Sequence, residues 1–186
     1  MQKIDKEAEK KFLKAENHRA NKDFNKAIEI FEDLIKQYPK LPPALHNIGL
    51  CYTSLNNHKE AEKFYLKCLE TEPVSIMSIN NLAKLYYNTH QFQKALPILK
   101  KSLLKNEDQL DIAEVTATCL FNLKLLEETN SFCQQALKKF PQSNVIKSYY
   151  GKNLLRSNKH SEGLKYLNEC SGVVEFGENN FKIFDK

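Results

Sequence analysis

Apolar residues recur along this chain at the spacing of a helix face, and short polar segments interrupt them at regular intervals. Leu45, Ile48 and Tyr52 stand three and four positions apart, which places them on one face of a helix. A polar segment over residues 54–58 follows, and a second apolar face then runs as far as Pro73. Proline ends a helix because it lacks an N–H group and restricts the residue before it. The pattern predicts two antiparallel helices joined by a turn.

The pattern repeats at about 34 residues. Four sequence columns keep this register: one of proline, one of alanine, one of small residues and one of apolar residues. Their members are, in turn, Pro39, Pro73 and Pro141; Ala27, Ala61 and Ala95; Ala15, Gly49, Ala83, Ala117 and Gly151; and Phe31, Tyr65, Leu99, Cys133 and Leu167. Antiparallel helices approach closely only where side chains are small, so Gly49 or Ala83 is expected to face Ala61 or Ala95. We predict about five helix pairs, starting near residues 8, 42, 76, 110 and 144.

These columns resemble the signature of the tetratricopeptide repeat (TPR) family. The second pair matches it at nearly every position, and the third matches almost as well. The first pair departs in its leading helix, and the fourth and fifth drift; the departures are Lys11, Lys14, His18, Thr116, Thr129, Lys147 and Gly163. The resemblance implies an all-α, right-handed α-solenoid of about five helix pairs over residues 8–172, between an N-terminal extension (1–7) and a C-terminal tail (173–186).

In this family the leading helix of each pair lines a concave groove that binds an extended peptide or a partner's helix. The resemblance places the following side chains in that groove: His46, Asn47, Asn80, Asn81, Lys84, Asn88, Glu114, Asn122, Tyr149, Lys152 and Arg156. Asn47 and Asn81 lie one repeat apart, and a carboxamide can pair with a peptide bond as both donor and acceptor. We expect these two residues to hold a peptide backbone. A clamp for the C-terminal carboxylate of chaperones is not expected, because Glu16 or Asp111 would repel it.

Composition and charge narrow the class of partner. The net charge is +5, but lysines are mixed with acidic residues and only Arg19 and Arg156 are arginines. Nucleic-acid readers favour arginine and a continuous basic stripe, so no nucleic-acid partner is expected. Mean hydropathy is -0.56, and no apolar run approaches the roughly 20 residues of a membrane span. The charged N-terminus lacks the apolar core of a secretory signal. A cytoplasmic protein without membrane insertion is predicted.

No residue pattern indicates catalysis, a cofactor or a metal. The five cysteines form no C-x-x-C pair and the histidines no H-x-x-x-H pair. The cysteines fall in packing columns, where they are expected to act as small apolar residues. No catalytic serine motif, phosphate loop or metalloprotease motif is present. We therefore predict a protein that is not an enzyme.

The tail differs from the repeats. Two short apolar runs, Val173–Phe176 and Phe181–Phe184, flank a turn and predict a β-hairpin. Its large apolar side chains should be covered by the last helix pair, by a second copy of the chain or by another protein. A homodimer through the tail is therefore one alternative.

The resulting functional hypothesis is an interaction scaffold or adaptor that binds a protein or peptide partner in the groove. An accessory or targeting module for a separate modifying enzyme, such as a transferase, is the alternative from another class. Self-assembly through the tail is the third.

Overall fold

Ten helices follow one another in the computed structural model, which describes residues 5–73, 75–171, 173–176 and 181–184. Helices α1 to α10 span, in order, Lys6–Ala20, Phe24–Gln37, Pro42–Ser54, His58–Thr71, Ile76–Asn88, Phe92–Lys105, Leu110–Asn122, Leu126–Lys139, Asn144–Arg156 and His160–Ser171. The odd-numbered helices are the leading helices of sequential pairs, and the even-numbered ones are the trailing helices. The prediction of an all-α repeat fold is confirmed.

The recurring proline marks the end of a helix pair. Pro39, Pro73 and Pro141 each stand two residues beyond the last residue of a trailing helix. There the missing N–H group costs no helical hydrogen bond and the restricted φ prevents the helix from continuing. Pro42 occupies the first turn of α3, where its fixed φ suits the start of a helix.

The turn inside each helix pair also follows the repeat. One residue per turn has a positive φ, between 57° and 63°, at intervals that match the sequence period; these residues are Lys22, Asn56, His90, Lys124 and Asn158. In the second pair the N–H of Asn57 donates to the carbonyl of Tyr52, and the N–H of Asn56 donates to that of Thr53. These bonds satisfy carbonyls at the helix end, as in a Schellman motif. Only two of the five residues are Asn, which enters this conformation more readily than Lys or His.

The chain forms two compact units, Met1–Thr89 and His90–Lys186. The N-terminal unit contains α1 to α5, and a core cluster in it is formed by Ala8, Ala15, Ala27, Ile28, Phe31, Leu34, Leu41, Ala44, Leu45, Ile48, Cys51, Phe64 and Cys68. The C-terminal unit contains α6 to α10, with a core cluster of Ala113, Ala117, Cys133, Ile146, Tyr150 and Leu154. Among these residues, Ala15, Ala27, Phe31, Ala117 and Cys133 belong to the small-residue, alanine and apolar columns of the repeat.

The column of small residues has two different packing roles. A Cβ atom added to Gly49 would lie 2.6 Å from Cε1 of Tyr65, so in the second pair the small residue makes room for an aromatic ring. That Gly49 also faces Ala61 stays a prediction. In the fifth pair the small residues do face each other: an added Cβ on Gly151 would lie 2.8 Å from the carbonyl oxygen of Gly163. Any larger residue would move the two backbones apart.

The cysteines occupy packing positions. Cys51, Cys68, Cys119 and Cys133 are buried, and Cys170 is half-buried. Burial raises the pKa of the Cys51 thiol to about 11 and those of Cys119 and Cys133 to about 12. A thiol with such a pKa stays protonated near neutral pH and is a weak nucleophile.

Two strands follow the last helix. β1 (Val173–Phe176) and β2 (Phe181–Phe184) pair antiparallel, with Val173 opposite Phe184 and Phe176 opposite Phe181. The predicted turn at residues 177–180 lies outside the described residues, and so do the tail side chains on which the predicted folding back and the homodimer depend.

Candidate peptide-binding faces

A groove opens on the leading helices of the N-terminal unit. Its volume is about 360 Å³, and it is lined by Phe12, Glu16, Arg19, Pro42, Pro43, His46, Asn47, Leu50, Glu72, Ser75 and Met77. We call it the N-terminal groove. Helices α1, α3 and α5 contribute most of the lining, because residues that share a column of the repeat share a face of the unit. The wall residue Met77 is 67% exposed, which is unusual for a large apolar side chain.

A carboxylate organises the floor of this groove. Asn47 Nδ2 donates to Glu16 Oε1 at 2.9 Å, and Arg19 Nη2 donates to the same oxygen at 3.3 Å. Arg19 Nε is buried without a hydrogen-bond partner among the described residues. Asn47 itself is only 8% exposed. The predicted clamp residue is therefore present in the groove, but one of its two amide hydrogens is already engaged by Glu16.

His46 lies beside Asn47 and is fixed from two sides. Its Nδ1 lies 2.8 Å from Ser78 Oγ, and its ring centroid is 5.9 Å from that of Tyr65. Burial of the imidazole, and secondarily the charge of Arg19, lower the pKa of His46. The ring therefore favours the neutral form, in which one nitrogen donates and the other accepts.

Helix α5 carries the other candidates of the N-terminal unit. Asn80, Asn81 and Lys84 are half-buried, whereas Asn88 is exposed at the end of the helix. Asn81 occupies the repeat position of Asn47. It is more accessible than Asn47, so of the two predicted clamp residues it offers the freer carboxamide.

The candidates of the C-terminal unit fall into two groups. Tyr149, Lys152 and Arg156 come together on α9, as described below. Glu114 and Asn122 on α7 are engaged within the protein: Glu114 Oε1 accepts from Ser143 Oγ at 2.7 Å, and Asn122 Nδ2 donates to the carbonyl of Thr118 at 2.8 Å. These bonds leave Glu114 and Asn122 with less capacity for a ligand.

Two aromatic rings and two cations form a cluster on α7 and α9. The ring centroids of Phe121 and Tyr149 are 5.2 Å apart. The guanidinium carbon of Arg156 lies 3.8 Å from the centroid of Phe121, and Nζ of Lys152 lies 5.3 Å from that of Tyr149. Arg156 Nη1 also donates to the carbonyl of Phe121 at 3.4 Å. We call these four residues the C-terminal cluster.

Sequence reasoning missed one column of these faces. Arg19 and Phe121 share a position near the end of the leading helix, three repeats apart, together with Thr53 and Tyr87. Arg19 lines the N-terminal groove and Phe121 supports Arg156. The periodicity contained this signal, because the column lies one turn beyond that of Glu16, Leu50 and Lys84. The residue types in this column differ from repeat to repeat, so the sequence pattern did not indicate that they lie on the candidate binding faces.

Two further properties concern the described ranges alone. Within residues 5–73, 75–171, 173–176 and 181–184, no three His, Cys, Asp or Glu side chains are grouped so that they could hold a metal ion. No helix in these ranges has both the length and the apolar character needed to cross a membrane.

Paired helices with a register of about 34 residues and a lined face on the leading helices define a helical-repeat protein of the protein-interaction class. Sequence models of the tetratricopeptide repeat match residues 11–40, 42–73 and 75–107. The chain belongs to the tetratricopeptide repeat family, as its sequence columns predicted.

Solved structures agree with this fold. The chain superposes on YrrB, described as a TPR protein with an unusual peptide-binding site, with a TM-score of 0.76 at 18% identity, covering 84% of this chain and 80% of that one. MamA from Desulfovibrio magneticus RS-1 superposes with a TM-score of 0.80 at 14% identity, covering 90% of this chain and 95% of MamA. MamA from AMB-1 superposes with a TM-score of 0.79 at 15% identity, covering 88% of this chain and 90% of MamA. A search of curated proteins returned no match. At these identities the likeness is one of fold.

Proposed function

We propose that this protein is a non-catalytic interaction scaffold that binds an extended peptide or a partner helix on the faces of its leading helices. The N-terminal groove carries the proposal. Its volume of about 360 Å³ lies within the range of ligand pockets, roughly 300–1,000 Å³. Phe12, Leu50 and Met77 provide apolar walls, and polar groups line the floor between them. This combination suits a peptide, which carries apolar side chains on a polar backbone.

The polar floor supports recognition of the backbone. Because Glu16 holds one amide hydrogen of Asn47, the orientation of that carboxamide is set before a ligand arrives. Its oxygen can still accept from a peptide N–H group, and Asn81 offers a second carboxamide one repeat away. Contacts of this kind bind a backbone whatever its sequence, so we expect the apolar walls to supply selectivity. YrrB is likewise described as having a peptide-binding site.

Met77→Glu tests this function without disturbing the core. Peptides would first be selected for binding to the full chain from a displayed random library, and their affinities then measured for each variant. Met77 is 67% exposed, so a charge there should leave the fold intact while making the groove wall polar. We expect the selected apolar peptides to bind about tenfold more weakly, the equivalent of roughly 1.4 kcal/mol.

The matched control is Leu66→Glu, which adds the same charge to an exposed apolar residue (42%) on the trailing helix α4. It should leave peptide affinity within about twofold of the wild-type value. Asn81→Ala should weaken all selected peptides alike, because it removes a backbone contact. Equal affinities for wild type and Met77→Glu would exclude the N-terminal groove as the binding site.

A further inference from the structure

In the C-terminal cluster each of the two cations lies over an aromatic ring. The guanidinium carbon of Arg156 lies 3.8 Å from the centroid of the Phe121 ring, and Nη1 of Arg156 donates to the carbonyl of Phe121. Lys152 stands one helical turn earlier on α9, with Nζ above Tyr149. A cation over a ring loses some of its conformational freedom but keeps its charge. Both side chains are therefore partly restrained before any partner is present.

Among the described residues, these two cations also lack an anionic partner. Elsewhere in the C-terminal unit, Lys100 pairs with Glu128 at 2.7 Å, Lys139 with Asp108 at 2.9 Å and Lys147 with Glu169 at 2.9 Å. Within the part of the chain that the structure describes, neither Lys152 nor Arg156 forms an ion pair. Glu114, an acidic residue of the same face, accepts its hydrogen bond from Ser143 instead.

We propose that the C-terminal cluster binds the carboxylates of an acidic segment in a protein partner. The inference rests on the proposed scaffold function and names the partner's chemistry at this face. Arg156 uses one N–H group of Nη1 on the carbonyl of Phe121, and its other N–H groups form no hydrogen bond within the described residues, so they are available for the two oxygens of a carboxylate. Lys152, four residues away on the same helix, supplies a second positive charge for a neighbouring Asp or Glu.

The geometry favours an acidic peptide over a nucleic acid. Proteins that bind single-stranded nucleic acids use open aromatic faces on which bases stack. In this cluster Arg156 covers one face of Phe121, Lys152 lies over Tyr149, and the two rings lie against each other. Arg156 is exposed, whereas both rings are half-buried, so the most accessible group of the cluster is a cationic donor, which suits a carboxylate.

Binding of a labelled peptide rich in Asp and Glu to the full chain, followed by fluorescence anisotropy at low ionic strength, tests the proposal. We expect Lys152→Gln/Arg156→Gln to weaken binding at least about tenfold, because two charge-assisted contacts are lost. Phe121→Leu keeps both charges but removes the support of the guanidinium, so a loss of roughly two- to fivefold is expected. The double variant Lys101→Gln/Lys138→Gln removes the same net charge from exposed trailing-helix positions and should stay within about twofold of wild type.

Three results would overturn the proposal. The first is an unchanged affinity of the Lys152→Gln/Arg156→Gln variant. The second is equal binding of a peptide with Asn and Gln in place of Asp and Glu. The third is tighter binding of a single-stranded oligonucleotide that is lost in Tyr149→Ala. Any of them would leave the scaffold function standing if Met77→Glu still weakened the selected peptides, so the two proposals can fail separately.

Discussion

Three buried polar residues of the leading helices bond to neighbouring helices of the same unit. His46 and Asn47 are each 8% exposed and reach Ser78 on α5 and Glu16 on α1. Asn153 is fully buried, and its Nδ2 donates to the carbonyl of Leu126 and to Asn130 Oδ1, both at 2.8 Å. A buried polar group without a partner is costly, so these bonds favour the helix arrangement that forms them, although Oδ1 of Asn153 is buried without a hydrogen-bond partner among the described residues. At this scale a polar residue specifies which neighbours can pack together.

The buried imidazole of His46 makes stability depend on pH. Burial and the charge of Arg19 lower its pKa below the ordinary value of 6.5, which it regains on unfolding. Below that pH the unfolded state binds more protons than the folded state, so the free energy of unfolding falls as the pH falls. We expect His46→Gln to lose less stability than wild type between about pH 7.5 and about pH 5, as measured by urea unfolding.

His160→Gln is the control for this pH effect, because His160 is exposed at the start of α10. Its loss of stability between the two pH values should match that of wild type. If His46→Gln were as sensitive to pH as wild type, His46 would not be the group responsible.

Each helix follows the repeat, but α6 carries an exception in its interior. Pro97 is the sixth residue of α6. It cannot donate to the carbonyl four residues earlier, and its ring crowds the preceding turn. Ser131 occupies the equivalent position in α8. The trailing helices of successive pairs can therefore differ in the number of backbone hydrogen bonds they form.

Pro97→Ala should stabilise the chain by about 2 kcal/mol in urea unfolding. The substitution restores a helical hydrogen bond and removes the steric clash, although the freer unfolded chain offsets part of the gain. Pro97 is exposed, so no core packing is lost. The matched change Ser131→Ala should add only a few tenths of a kcal/mol, from helix propensity alone. Equal effects of the two substitutions would show that Pro97 imposes no strain on α6.

At the scale of the molecule, the contacts are short-range in sequence. Among the described residues of each unit, the main packing contacts join helices one or two places apart in the chain, such as α9 with α10 and α7 with α9. In repeat proteins of this kind, stability is close to a sum of repeat and nearest-neighbour terms. A defect in one pair should therefore act mainly on that pair and its neighbours.

Leu167→Ala tests this locality through hydrogen exchange of the native protein. Leu167 is fully buried, and its loss should destabilise α9 and α10 by about 3 kcal/mol. We expect amide protection to fall there and to stay nearly unchanged in α1 and α2. Leu104→Ala is the matched control, because the same atoms are removed from a side chain that is 86% exposed. A uniform loss of protection in all ten helices would contradict the local description.

The sequence alone determined the helix pairs, their register and the family. Every pair has the same close-packing requirement, so similar residue types recur at the same position of each repeat. Gly49 and Gly151 belong to such a column, and so do the prolines that follow the trailing helices. The same register also placed His46, Asn47, Tyr149, Lys152 and Arg156 on the leading helices.

Only the tertiary structure decided which of these residues contact one another. Asn47 bonds to Glu16 and Arg156 stacks on Phe121, in each case between leading helices one repeat apart. No periodic packing requirement acts on such pairs. The partner of each residue depends on the length, charge and rotamer of its side chain. The rotamer, and the distance to a partner, are set only when the helices pack together.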